Sequence, residues 1–327
     1  MFAVQGVNPW TALWKIFGGS FCRSFGFFET MTKAIPLILI SAGLSIAFRA
    51  RFWNIGAEGQ LLFGCILATG VGLHSSSLPS YCVLPLMFLA GATGGALWGT
   101  LPALLREKYR VNEVISTLML NYIAAEAVQY LIYGPWKGKT QWGFPYTDNF
   151  PPAASLPVIP GTRIHWLTLL IGLVMACAAY FLLERSSMGF EIRVSGENPE
   201  AARRSGISPL RVSLLVMGLS GGLAGLAGTG ELCGVHHHLT YPWAISSGYG
   251  FTAIIVAWMA MLNPLWCIPV SLLFAGLLVG GDAIQTSLGL PFATVNVFNG
   301  AILFFLMLAE FFRENKISLK RSASAGA

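Results

Sequence analysis

The sequence predicts an all-α polytopic membrane protein of about nine transmembrane helices with an inverted internal repeat. Three observations predict it. Hydrophobic residues make up 55% of the 327-residue chain and charged residues 10%, whereas a soluble domain carries about 25% charge. Apolar runs of spanning length, roughly 17–25 residues, recur along almost the whole chain. The basic residues fall in clusters after alternate runs, as loops on one side of a bilayer require.

The runs lie near 31–48, 52–74, 80–105, 111–133, 164–183, 211–232, 247–262, 264–284 and 292–312. They divide the chain into a non-spanning segment at 1–30, a transmembrane domain at 31–312 and a basic tail at 313–327. Arg49 and Arg51 follow the first run, and Arg106, Lys108 and Arg110 the third. Arg185, Arg193, Arg203, Arg204 and Arg211 follow the fifth, and Arg313, Lys316, Lys320 and Arg321 close the chain. These clusters share one side, which the positive-inside rule makes cytoplasmic, with the C-terminus there too. The N-terminal segment, with Lys15, Arg23 and Lys33, is then expected on the outer side. A net charge of +6 reports topology here and implies no nucleic-acid partner. The first 30 residues lack a basic stretch followed by an apolar one, so no cleavable signal peptide is expected.

The second run opens on WNIGAEGQLLFG (53–64). Gly56 and Gly59 loosen the helix, so Glu58 reads either as a path-lining acid at the inner mouth or as a tie to a neighbouring helix. The third and sixth runs carry GATGGALWG (91–99) and GLSGGLAGLAGTG (218–230), whose small faces let helix backbones approach closely. Residues 91–123 and 274–303 share a glycine-rich span, a short turn, V-N and another span, in that order. Their offset of about five spans would invert the second copy, as in transport proteins.

The acids inside runs are Glu58, Glu113, Glu126, Glu231 and Asp282, and intramembrane acids are functional hypotheses by default. Glu113 suits a helix start after REKYR, where the dipole favours an acid. Glu231 is expected near the interface and Asp282 in solvent at the outer side. Glu58 and Glu126 remain to line a path or to bond between helices.

Between the fifth and sixth runs, 185–211 is the most polar segment. Asn198 can cap a short helix at 199–205, Pro199 suits its first position and Glu200 its first turn. Arg203 and Arg204 suit the last turn, and Gly206 can end it. A capped, self-contained helix between two spans suggests a docking element for a cytoplasmic partner.

Several motifs are excluded. GPWKGKT (134–140) has three residues between its glycines, whereas a phosphate-binding loop needs four. His236, His237 and His238 are consecutive, so their side chains diverge, and a solvated outer loop is expected. The six cysteines are scattered without metal spacing and read as packing residues. There is no nucleophile elbow and no HExxH motif. No catalytic site, metal or cofactor is expected.

Four segments together carry a resemblance: NIGAEGQ (54–60), VNEVISTLMLNYI (111–123), GENPEAARRSGI (196–207) and GYGFTAI…VGGDAIQ (248–285). Over about residues 7–312 the chain resembles permease subunits of ABC importers of the branched-chain amino acid/ribose type, and in particular the nucleoside and simple-sugar branch. The resemblance implies a cytoplasmic ATPase, a second related permease and an extracellular substrate-binding lipoprotein as partners, in the cytoplasmic membrane. It makes Gly196, Glu197, Asn198, Pro199, Glu200, Ala201, Ala202, Arg203, Arg204 and Gly206 the ATPase coupling helix. It also implies a further span before Val7-Asn8-Pro9-Trp10, which would account for the N-terminal segment on the outer side. Asn54, Glu58, Gln60, Asn121 and Glu126, with Asn296 and Asn299 in the last run, are the candidate substrate path for a nucleoside or simple sugar. The rival readings are a proton-coupled carrier relaying through Glu58 and Glu126, and a membrane scaffold that transports nothing.

Overall fold

The computed structural model describes residues 9–140 and 143–288, with isolated helical positions between Val297 and Phe312. Within these residues the chain is helical, without strands. In order the helices are α1 (Pro9–Phe17), α2 (Ser24–Arg49), α3 (Ala57–Leu73), α4 (Ser80–Tyr109), α5 (Glu113–Tyr133) and α6 (Trp166–Arg185). Then follow α7 (Ser187–Glu197), α8 (Pro199–Arg204), α9 (Pro209–Glu231), α10 (Pro242–Ser246), α11 (Tyr249–Met259) and α12 (Cys267–Leu288). One-turn π segments join α1 to α2 at Gly18–Cys22 and extend α9 at Leu232–His236.

Six of these helices are long and apolar enough to cross a membrane: α2, α4, α5, α6, α9 with its π extension, and α12. That count differs from about nine for three reasons. α3 has 17 residues and α11 has 11, because each begins late after an irregular segment. The run at 292–312 lies outside the described stretch apart from its isolated positions.

α2 is the axis of the bundle. It is apolar around its whole circumference, and a helix of that kind must be surrounded. Every residue from Ala34 to Phe48 is buried, against α6, α9, α11 and α12. The helix begins at Ser24 rather than at residue 31, so Lys33 lies within it. There Lys33 meets Asp282 of α12 at 2.5 Å. Asp282 is thus ion-paired at the protein surface, not simply solvated. α4, α5 and α6 are peripheral: Leu97, Leu101, Ile115, Leu170, Val174 and Phe181 are exposed, as a lipid-facing surface requires.

The closest helix pair is α4 with α9. A Cβ built at Gly95 would stand 2.1 Å from Gly221 O, and one at Gly225 would stand 2.0 Å from Gly91 O. Four glycines therefore let two backbones touch, as the sequence spacing implies.

The molecule has two chemically distinct ends. At one, α2, α4 and α6 finish and α5 and α9 begin, with α7 and α8 between them. The Arg49, Arg106 and Arg193 clusters meet there: Glu184 lies 3.4 Å from Arg49 and 4.0 Å from Arg193, and Arg106 lies 3.4 Å from Glu113. At the other end Arg163 meets Glu29, near the start of α2. The loop 134–165 folds over this end by main-chain bonds, Phe150 N to His237 O and Leu156 N to Cys233 O. Asp148 accepts bonds from Thr140 N and Oγ1, which hold its carboxyl below the usual range.

Candidate functional site

The extended Phe52–Ile55 segment lets α3 start late. Arg51 precedes it in the left-handed region (φ +50°). Backbone groups exposed at such a break need partners inside the protein. Asn54 and Gln60 pair their side-chain amides at 3.0 Å, Asn54 also donates to Ser220 Oγ at 3.0 Å, and Gly56 N donates to Asn54 Oδ1. From α5, Asn121 accepts from Gly59 N and donates to Ile55 O, both at 2.8 Å. Ile55 N donates to Thr117 Oγ1. A Cβ on Gly59 would lie 2.9 Å from Asn121 Cα, so α3 and α5 meet at glycine distance. Asn54, Gln60 and Asn121 thus hold the break shut.

Glu58 is buried, and its Oε2 accepts from Gly250 N at 2.8 Å. It sits on the N-terminus of α11, whose first-turn N–H groups lack helical partners and favour an acid. Gly250 is required there, since a Cβ would lie 2.4 Å from Glu58 N. Of its two readings, the tie to a neighbouring helix is the one the geometry supplies. Glu58 and Asn121 still border a small cavity of about 110 Å³, lined also by Leu62, Tyr122, Trp243 and Phe251.

Glu126 is elsewhere. It projects from the exposed face of α5 and accepts from Gln129 Nε2 at 2.9 Å. Tyr122, Tyr130 and Tyr133 are exposed on the same helix. The Tyr133 hydroxyl bonds that of Tyr241, and Tyr146 packs against Tyr241 and His238 at the mouth. Sequence reasoning missed these aromatics and Gln129, although spacings of three and four residues along one span carried the signal. Glu58 and Glu126 have separate hydrogen-bond partners among the described residues. Asn296 and Asn299 lie outside the described residues.

Glu231 is the last residue of α9 and is buried within the protein. Its Oε1 lies 3.9 Å from His165 Nε2, and neither atom has a hydrogen-bond partner among the described residues. Burial, and then Arg163, push the His165 imidazole down to about 4. His236 to His238 are half-buried, so the expected solvated loop is instead a π turn locked against 147–150.

At the basic end Asn198 Oδ1 accepts from Ala201 N at 3.0 Å, Pro199 starts α8, and Gly206 leaves it with φ +81°. Ala202 is buried, while Arg204 reaches Glu200 at 2.6 Å on the surface. α7, capped by Ser186, was not legible beforehand. Its Gly196 presses on the end of α2, where a Cβ would stand 2.2 Å from Arg49 O. Arg203, Arg106, Arg110, Glu107 and Glu113 border a groove of about 640 Å³ beside α8.

A family model described as the permease component of branched-chain amino acid transport systems matches residues 26–309. The chain belongs to this family of ABC transporter permeases. Such permeases are transport proteins and not enzymes. The chain is 36% identical over 324 residues to the glucose ABC transporter permease protein TsgB13 of Haloferax volcanii, covering 96% of this chain and 84% of that protein. It is 31% identical over 305 residues to the guanosine ABC transporter permease protein NupP of Bacillus subtilis, covering 91% and 85%. A second guanosine permease protein of the same organism, NupQ, is 25% identical over 259 residues, covering 75% and 78%. No solved structure matches the chain. Membership of the family implies ATPase and binding-protein partners for this multi-pass permease.

Proposed function

We propose that this permease carries a nucleoside or a simple sugar inward, along the exposed polar face of α5, with a second related permease closing the path. The observation that carries the reading is the Glu126–Gln129 pair. It stands exposed on a spanning helix, flanked by Tyr122 and Tyr130. A carboxylate facing lipid costs several kcal/mol, about 2.5–3.5 on insertion scales, so such a face belongs beside water or protein. Hydrogen-bonding groups interleaved with aromatic rings suit a neutral, polar ligand with flat or hydroxylated faces. The names of TsgB13 and NupP, one for glucose and one for guanosine, support that ligand class. The proton-relay reading loses its support, since Glu58 is committed to α11. Asn54, Gln60 and Asn121 support the wall of the path, and Asn296 and Asn299 are kept as its outer contacts.

In this reading α7 and α8 receive the ATPase, the basic end is cytoplasmic together with the C-terminus, and a lipoprotein delivers substrate to the aromatic mouth. α3, α11 and the 292–312 run complete about nine spans. α4 ends at the basic end, while α12 starts there and runs away from it, as inverted copies must.

Uptake by the reconstituted complex tests the path. Glu126→Ala with Gln129→Ala should raise KM about tenfold or more, the loss of a charge-assisted hydrogen bond, with subunit assembly intact. A wild-type KM in that double variant removes α5 from the path.

A further inference from the structure

We propose that the cleft between α2, α7 and α11 at the basic end binds an anionic phospholipid, the phosphate on its arginines and an acyl chain along its aromatic floor. The cleft has a volume of about 440 Å³. Its floor is a tier of three rings: Trp53 stacks on Trp258 at 5.5 Å, and Phe48 lies 5.9 Å from Trp53 and 5.8 Å from Trp258. Trp53 remains 46% exposed, so the tier is open rather than sealed into the core. Arg49, Arg51 and Arg193 line the same cleft against one lining acid, Glu197.

The arginines are incompletely used. Glu184 draws Arg49 and Arg193, at 3.4 and 4.0 Å. Glu184 is thus shared between two guanidiniums, and Arg193 Nη1 has that ion pair but makes no hydrogen bond among the described residues. Arg51 has no ion pair there at all. A planar guanidinium left in that condition is suited to phosphate, which it can take in bidentate fashion. The backbone is also held in an unusual state at this mouth. Arg51, Met261 and Leu262 all have left-handed φ, +50°, +53° and +55°, and none is glycine. Strain of this kind gathers at ligand clamps.

Position selects the class of ligand. α2 ends here, so the cleft lies where the apolar bundle gives way to its charged cap, and indole rings favour that depth in a bilayer. Rings below and arginines above match the two halves of a lipid. A free phosphate would use the arginines and leave the aromatic floor bare. Anionic lipids also concentrate at the membrane face bearing positive loops. The inference stands independently of the transported substrate.

The test uses the assembled transporter in nanodiscs, with acyl chains brominated on either phosphatidylglycerol or phosphatidylcholine at equal mole fraction. Bromine quenches nearby indoles, and the difference between wild type and Trp53→Phe isolates the signal of Trp53. Brominated phosphatidylglycerol should be preferred about fivefold for each arginine engaged, and Arg51→Gln with Arg193→Gln should bring quenching down to the phosphatidylcholine level. Equal quenching by the two lipids in the wild-type complex overturns the proposal, whatever the variants do. So does a preference that survives the double substitution. Relief of quenching by added inorganic phosphate assigns the cleft to a free anion and overturns the lipid.

Discussion

Two buried acids show how little a carboxylate's presence says without its partners. Glu58 accepts from the α11 backbone, so Glu58→Gln keeps an acceptor while Glu58→Ala leaves Gly250 N unpaired. Gln should therefore assemble normally, whereas Ala should lose stability by about 1–3 kcal/mol, read as a lower unfolding temperature of the purified complex. Poor assembly of Gln as well would mean that the charge itself is needed. His165 gives a pH signature. Its ordinary value is 6.5 and the fold holds it at about 4. An unfolded chain takes up the proton below 6.5, and the native imidazole resists until about 4. The stability it contributes is complete above 6.5 and is lost as pH falls toward 4. Thermal unfolding across that window should drop less steeply in His165→Gln, and parallel slopes in both proteins would remove His165 as the cause. The identity of these acids was visible in the sequence. Their roles were not, because the groups they meet are far apart in the chain, Glu58 with Gly250 and Glu231 with His165.

Local patterns were legible wherever one turn of helix decides the matter. The Asn198-Pro199 start, the Glu200–Arg204 pair and the Gly206 exit of α8 all follow from residues within a few positions of one another. α7 escaped notice because its anchors, Gly196 on Arg49 and buried Ile192, belong to packing against α2 and its neighbours. α3 and α11 are short for a related reason: apolarity marks depth in the membrane, while a helix starts only where its backbone is satisfied. The glycine spacing in α4 and α9 foretold close approach, and the structure supplies its register. Gly225→Leu must separate backbones already in contact, an overpacking penalty of about 1–3 kcal/mol or more. The variant should lose monodisperse protein in detergent, whereas Gly222→Leu, whose Cβ site has 3.5 Å of clearance, should lose far less. Equal yields would mean that the seam is not tight in the membrane.

Across the whole molecule the polar ends and the apolar middle divide the work. Four charged clusters gave the chain an expected orientation in the sequence, and three of them meet at one end of the bundle. What composition could not give is the outward face of α5, since exposure depends on which helices surround which. At the basic end, Gly196 seats α7 against the end of the axial helix without an intervening side chain, and α8 packs on α7; under the proposed docking of the ATPase on α8, α7 is the element between that contact and α2. Arg203→Glu with Arg204→Glu should abolish substrate-dependent uptake and weaken ATPase attachment while leaving the protein in the membrane, measured by transport and co-purification. Wild-type uptake would place the ATPase elsewhere.

The α4–α9 seam also limits how the gene can change. Every single-base substitution that alters a glycine codon installs a larger residue or a stop. Gly95, Gly221 and Gly225 have backbone atoms of the opposite helix where a β-carbon would go, and Gly91 has the Thr229 hydroxyl there, so they have no neutral neighbours in codon space. A lineage acquiring a new ligand must therefore explore α5 and the mouth, while the seam stays fixed as the frame on which that variation is displayed.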